Sequence, residues 1–215
     1  MSIIVDKPLD RITLLTAVKE LGERDAMLRR LATQFGAPPL WRRSQSFETL
    51  VHIVLEQKVS LTSAQAVMRR VQALCPSMSA EQFVTVPEAK LRKAGISGRK
   101  VSYCYSMAES LTSGQLDLTS LRKLPDEQVV EKLMMVRGIG PWTAGVYLLM
   151  AMRRPDAWAS GDRALVVSLA ESAGLETVPD YSGFDEYAMR WQPHRGTAAR
   201  LLWHAYLQRR KQKSG

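Results

Sequence analysis

The chain has 215 residues, 46% hydrophobic and 24% charged, with a formal net charge of +9. That balance excludes a disordered chain, and no apolar run reaches the length of a membrane span, so no membrane partner is expected. Cys75 and Cys104 are too few for a four-cysteine cluster or a disulfide framework, and MSIIVDKP (1–8) is too short for a signal-peptide core. A reducing compartment follows: the cytoplasm with its nucleoid in a bacterium, the nucleus in a eukaryote.

In chain order the periodicity is helical nearly throughout. The residues up to Trp41 read as helical. The first irregular stretch is APPLWRRSQS (37–46). Ser46 caps a helix whose apolar stripe is Phe47, Leu50, Val51, Val54 and Leu55. Ser60 caps the next, with Ala64, Val67, Val71 and Leu74 on one face, and Pro76 stops it. Ser79 with Gln82, and Thr85 with Glu88, match capping boxes of two short helices. Gly98 opens a longer helix that Gly114 ends. Pro125 begins another, and Pro141 begins one that runs to Met152. A second irregular stretch, RRPDAWASG (153–161), precedes helices over about 163–172 and 195–209. No alternating strand pattern and no fixed-period repeat occurs. The fold class is therefore all-α, with about ten short helices in two lobes. One lobe is a middle bundle over 47–152; the other joins 1–46 to 153–215, and the cleft between them is where a site is expected.

The positive charge is unevenly spread. Lys90, Arg92, Lys93, Arg99 and Lys100 fall close together with no acid among them. After Glu186 the chain has Arg190, Arg195, Arg200, Arg209, Arg210, Lys211 and Lys213 and no acidic residue. One-signed segments point to a phosphate-facing surface, although Lys211 and Lys213 also read as part of a frayed, solvated tail.

The strongest local signal is LMMVRGIGPWTAGVYLLMAM (133–152). Two amphipathic helices are joined by Val136-Arg137-Gly138-Ile139-Gly140. Gly138 and Gly140 permit positive φ and remove side chains, so backbone can approach a partner closely. The unpaired amides after Pro141 lie at the positive end of a helix dipole, a preformed phosphate site. Ile139 packs the two helices together. The same string also reads as a plain αα-hairpin with a glycine cap.

LMMVRGIGPWTA, with PDAWASGDRAL (155–165) after it, resembles the helix-hairpin-helix DNA glycosylases of base excision repair. LEQKVSLTSA (55–64) and RWQPHRGTAARLLWHAYL (190–207) resemble the 3-methyladenine DNA glycosylase II branch. The resemblance spans about 47–207. It implies two helical lobes with the hairpin at the cleft, and Asp162, twenty-two residues past Gly140, as the catalytic carboxylate; Gly161-Asp162 also reads as a helix N-cap. A carboxylate there would stabilise the oxocarbenium-like sugar formed as an N-glycosidic bond breaks.

The resemblance further implies a base pocket of Trp142, Trp191, His194 and Arg195. Bifunctional members carry a lysine where Trp142 stands, so Trp142 implies a monofunctional enzyme acting on cationic, alkylated purines such as 3-methyladenine. His194, Val146 and Arg163 stand where some members carry aromatic residues, which implies a less aromatic pocket. The implied DNA-binding set is Gln57, Lys58, Gly138, Ile139, Gly140 and Thr143, joined by Arg99 and Lys100 of the basic run. Gln57 and Lys58 would lie in the turn that fills the gap left by a flipped base. The carbonyls of Met134, Val136 and Ile139 would hold a sodium or potassium ion, and no cofactor is required. The implied partner is double-stranded DNA with damaged bases, bound by a monomer. A mismatch or uracil-type glycosylase and a non-catalytic DNA-binding module are the other readings. His52 and His204 lack metal-ligand spacing, and Trp41, Trp158 and Trp203 read as packing residues.

Overall fold

The computed structural model describes residues 7–214. The N-terminal residues through Asp6, on which the signal-peptide reading falls, lie outside the described residues. The helices in chain order are α1 (Arg11–Arg24), α2 (Ala26–Phe35), α3 (Phe47–Glu56), α4 (Leu61–Leu74), α5 (Ala80–Phe83) and α6 (Glu88–Lys93). They continue with α7 (Gly98–Thr112), α8 (Asp126–Met134), α9 (Pro141–Tyr147), α10 (Arg163–Ala173), α11 (Tyr181–Ala188) and α12 (Arg195–Ser214). Among the described residues there is no strand, and no helix is long and apolar enough to cross a membrane.

The caps explain most helix starts. Ser46, Ser60, Ser79 and Ser97 each accept a backbone N–H from the first turn of α3, α4, α5 and α7. Two readings are corrected. Thr85 does not cap α6: its hydroxyl donates to the Gln82 carbonyl at 2.8 Å, and Pro87, with its fixed φ, takes the N-cap position. The helix that Pro141 opens does not run unbroken to Met152; after Tyr147 it widens into a π-turn, Leu148–Met152. α12 continues as helix through Lys211 and Lys213 to Ser214.

The chain divides into two compact units. The first is Arg43–Tyr147, holding α3 to α9. Its core is centred on α3, which packs on α4, α7 and α9 and buries Leu50, Ile53 and Val54 completely. Each such side chain contributes roughly 2 kcal/mol of burial free energy. Phe47, Phe83 and Tyr105 meet edge-on, with ring centroids at 5.2 and 5.7 Å.

Among the described residues, the second unit takes in 7–42 and 148–214. Here α12 is the central element, packed against α1, α2 and α10. Ala198, Ala199, Leu201, Leu202 and Ala205 give it a buried face of small and aliphatic residues. Gly196 allows a close approach: a Cβ there would come within 2.7 Å of the Pro155 carbonyl and 2.8 Å of the Arg154 carbonyl. One turn on, Arg200 is 1% exposed. Its guanidinium donates to the carbonyls of Leu149, Gly196 (2.7 Å) and Leu40 (3.3 Å). Burial, with Arg153 adding repulsion, lowers its pKa to about 10.

Arg200 thus binds the π-turn, the chain before Arg43 and α12 together. Arg200→Met removes a buried donor set that no aliphatic group replaces. It is expected to cost about 3 kcal/mol, read as a lower urea midpoint with an unchanged slope.

Candidate active site

Asp162 ends the irregular stretch 153–161 and caps α10. Gly161 before it has φ +77, a conformation open to glycine. The carboxyl is 8% exposed. Its Oδ1 accepts the Leu165 N–H at 2.9 Å and the Trp203 indole N–H at 3.1 Å. Two donors on one oxygen from two helices fix the rotation of the group. The preceding loop is held in turn by Asp185 of α11, which accepts from the Trp158 indole at 2.7 Å and from the Ser160 hydroxyl.

Trp203 packs, as its sequence context implies, with its ring edge-on to Trp41 at 6.3 Å. Its indole N–H is nonetheless spent on Asp162. A tryptophan eight residues after Arg195, on a helix that must pack on α10, is the signal in the sequence.

Of the implied base pocket, Trp191, His194 and Arg195 lie in this unit. Trp191 is 1% exposed and lies among Trp158, Phe184 and Tyr187, with its indole donating to Asp25 at 2.9 Å. An indole so enclosed is core, and a pocket wall of Trp191 is corrected on that ground. His194 Nε2 meets Glu20 at 2.7 Å. Arg195 closes its fork on Asp156, at 3.0 and 2.7 Å. Trp142 stands half-buried on the first turn of α9 in the other unit, and Val146, one turn on, is buried.

In the Arg43–Tyr147 unit, α8 and α9 pack as a hairpin. The turn closes with the Val136 N–H on Leu133, the Ile139 N–H on Val136 and the Ala144 N–H on Gly140, all at 3.0 or 3.1 Å. Ile139 is 5% exposed and plugs the hairpin. The two glycines differ. Gly138 has φ +96, and a Cβ there would fall 2.3 Å from the Tyr103 ring. Gly140 has no positive φ, and a Cβ there would meet nothing within 4 Å. Packing within the chain therefore requires a glycine at 138 and does not require one at 140.

Gln57 is turned toward the hairpin. Its amide donates to the Gly138 carbonyl at 3.1 Å and to the Thr143 hydroxyl at 2.9 Å, tying the end of α3 to the hairpin. Thr143 is 2% exposed and is used inward. Lys58 follows with φ +56 and is exposed, as are Val59 and Leu61. Lys100 is a second correction: its ammonium donates to the carbonyls of Leu55 and Gln57, both at 2.8 Å. Arg99, by contrast, is exposed, and so is Arg137 in the hairpin.

The basic C-terminal stretch is also less free than its sequence implies. Arg195 is paired with Asp156, Arg200 is buried, and Arg209 and Arg210 reach Glu171 at 3.6 and 2.9 Å.

Met134, Val136 and Ile139 offer neutral carbonyl oxygens, a donor set that suits a monovalent cation. The Val136 carbonyl accepts the Ile139 N–H and keeps a second lone pair for an ion. No cluster of three or more His, Cys, Asp or Glu that could hold a metal occurs among the described residues. A cavity of about 330 Å³ between α3 and α4, lined by Arg43, Glu48, His52, Gln65, Met68 and Gln72 among others, includes none of the expected site residues.

The chain is thus all-helical among the described residues, with a glycine hairpin and a helix-capping, hydrogen-bonded aspartate. The profile of the HhH-GPD superfamily of base excision DNA repair proteins matches residues 51–194, and the chain belongs to that superfamily. It is 25% identical over 201 residues to a DNA-3-methyladenine glycosylase of Bacillus subtilis, covering 88% of this chain and 66% of that protein. It is 23% identical over 214 residues to DNA-3-methyladenine glycosylase 1 of Schizosaccharomyces pombe, covering 94% and 92%. Against the YfjP protein of Bacillus subtilis, 29% identical over 115 residues, it spans 40% of the relative's length. Among solved structures, S. pombe 3-methyladenine DNA glycosylase (Mag1) in complex with abasic DNA superposes with TM-score 0.80 at 24% identity, covering 87% of this chain and 95% of that one. A DNA-3-methyladenine glycosidase from Bacillus halodurans gives 0.74 at 28% identity, with 91% of each chain covered.

The glycines make a paired test. Gly138→Ala is expected to lose about 3 kcal/mol in urea unfolding, because the new Cβ collides with Tyr103 at a positive φ. Gly140→Val is expected to stay within about 1 kcal/mol of wild type and to bind duplex DNA more weakly. Equal stability losses would contradict the difference in their surroundings.

Proposed function

We propose that this chain is a monofunctional DNA glycosylase that releases alkylated purines, 3-methyladenine above all, and leaves an abasic site. The observation that carries the reading is the Asp162 carboxyl, 8% exposed and held by Leu165 and Trp203, in a member of a base-excision-repair superfamily. The names of the relatives and the DNA in the Mag1 complex support the substrate class and duplex DNA as partner.

The chemistry follows from charge. An N3-alkylated purine is cationic while attached to the sugar, so the C1′–N bond breaks with both electrons leaving on a neutral base. The positive charge moves to the sugar, where a fixed carboxylate stabilises it. Water then adds at C1′ and gives up a proton, and Asp162 can orient or accept from that water. No cofactor enters these steps. Gly140 and the hairpin serve as the phosphate anchor, where a cation on the Met134, Val136 and Ile139 carbonyls would add positive charge. Exposed Lys58 and Val59, rather than Gln57, are the side chains offered to the gap in the duplex. The protein acts as a monomer.

Asp162→Asn keeps the size and the acceptor oxygen but removes the charge. Release of 3-methyladenine from methylated duplex, measured under single turnover, is expected to fall by about two orders of magnitude or more while DNA binding persists. Release close to wild type would overturn the assignment.

Trp142 supplies no amine for an imine with the sugar, so borohydride is expected to trap no protein–DNA adduct, and the strand stays intact until treated with alkali. A trapped adduct that vanishes in Lys58→Ala would make the enzyme bifunctional.

A further inference from the structure

Lys100 stands in a basic run and is spent inside its own unit. Its ammonium donates to the Leu55 and Gln57 carbonyls at 2.8 Å each. These carbonyls close the last turn of α3, where no intrahelical donor remains and the helix dipole is negative. Burial lowers the pKa of this ammonium, as expected for a lysine committed to protein rather than to water. At the same residue, the Gln57 amide reaches Gly138 and Thr143 of the hairpin. Three elements, α3, α7 and the hairpin, are therefore joined at Gln57. The chain then turns through exposed Lys58, at φ +56, and Val59 to Ser60, which caps α4.

We propose that Lys100 is a positioning residue: it locks the α3–α4 turn to α7 so that Lys58 and Val59 meet the duplex already fixed in register with the hairpin. The inference rests on the reading that this turn enters DNA as a base is extruded. A turn that fills the space left by a flipped base loses its freedom on entry, and that entropy is lost at the step that exposes the base. A turn pinned beforehand has already lost it. Lys100 then acts on base extrusion and release and leaves the number of phosphates contacted unchanged.

The test uses the full chain, with Lys100→Met, Gln57→Met and the double variant. Two quantities are read: the salt dependence of affinity for an undamaged duplex, and single-turnover base release from methylated duplex, with 2-aminopurine fluorescence reporting extrusion. Lys100→Met is expected to keep the wild-type salt slope while release and extrusion fall about tenfold or more. Gln57→Met is expected to do the same, and the double variant to fall little below the poorer single one, because both act through one turn. Arg99→Met, an exposed cation, is the contrast and lowers the slope by about one. A slope lowered by about one in Lys100→Met would make Lys100 a phosphate contact and overturn the proposal. Unchanged release, or losses that add in full, would overturn it equally. If Lys100→Met does not fold by thermal melting, Lys100→Gln keeps an N–H donor without the charge and faces the same comparison. A wild-type chain that releases no base would sink the glycosylase reading, while the salt arm would still decide whether Lys100 touches phosphate.

Discussion

Asp162 sets the terms for the unit around it. A carboxylate at 8% exposure is costly unless its oxygens are hydrogen-bonded. Oδ1 draws one donor from the start of α10 and one from Trp203 on α12. Those donors converge only if α10 and α12 pack in one register. The same helix that supplies Trp203 carries Arg200 one turn earlier, and Arg200 grips the π-turn and the chain before Arg43. Gly196 lets the Pro155 carbonyl come close enough to accept the Gly196 N–H at 2.8 Å, which seats α12 against the loop that ends in Asp162. Asp185 holds that loop from its other side. The donors on Oδ1 include a peptide N–H and an indole N–H, and both orient the oxygen.

The hairpin unit solves a different problem by similar means. It must present backbone, so backbone must be held from within. Gln57 and Lys100 are long polar side chains whose donors end on main-chain oxygens of the turn and hairpin. Gly138 admits the Tyr103 ring, which fills the inner side of the turn. Gly140 answers to no neighbour in the chain, and a bare backbone position without an internal reason is what a close external partner would require.

What the sequence made legible was local. The caps at Ser46, Ser60 and Ser79, the two glycines and the Gly161-Asp162 start of α10 depend on residues within one turn of each other, and the pattern states them directly. Partners far away in the chain are not legible in this way. Arg195 pairs with Asp156, His194 with Glu20 and Trp191 with Asp25, and no window of sequence joins these residues. Trp203 reads as packing, and it does pack; its donor finds Asp162 only once α10 lies beside it. Thr85 lost its cap to Pro87, whose fixed φ settles the helix start two residues later.

The charge count shows the same limit and carries the furthest consequence. A net +9 with one-signed segments implies a broad phosphate-facing surface. In space, the guanidinium groups of Arg195, Arg209 and Arg210 meet carboxylates, Arg200 is enclosed by carbonyls, and Lys100 closes α3. The exposed cations of the hairpin unit include Lys58, Lys90, Lys93, Arg99 and Arg137. Affinity for a polyanion depends on the cations that release counterions on contact, and a paired or buried guanidinium releases none. The paired and buried cations therefore add little to the grip on DNA, which falls to the cations that remain exposed and to fixed geometry, a hairpin and a turn braced from inside.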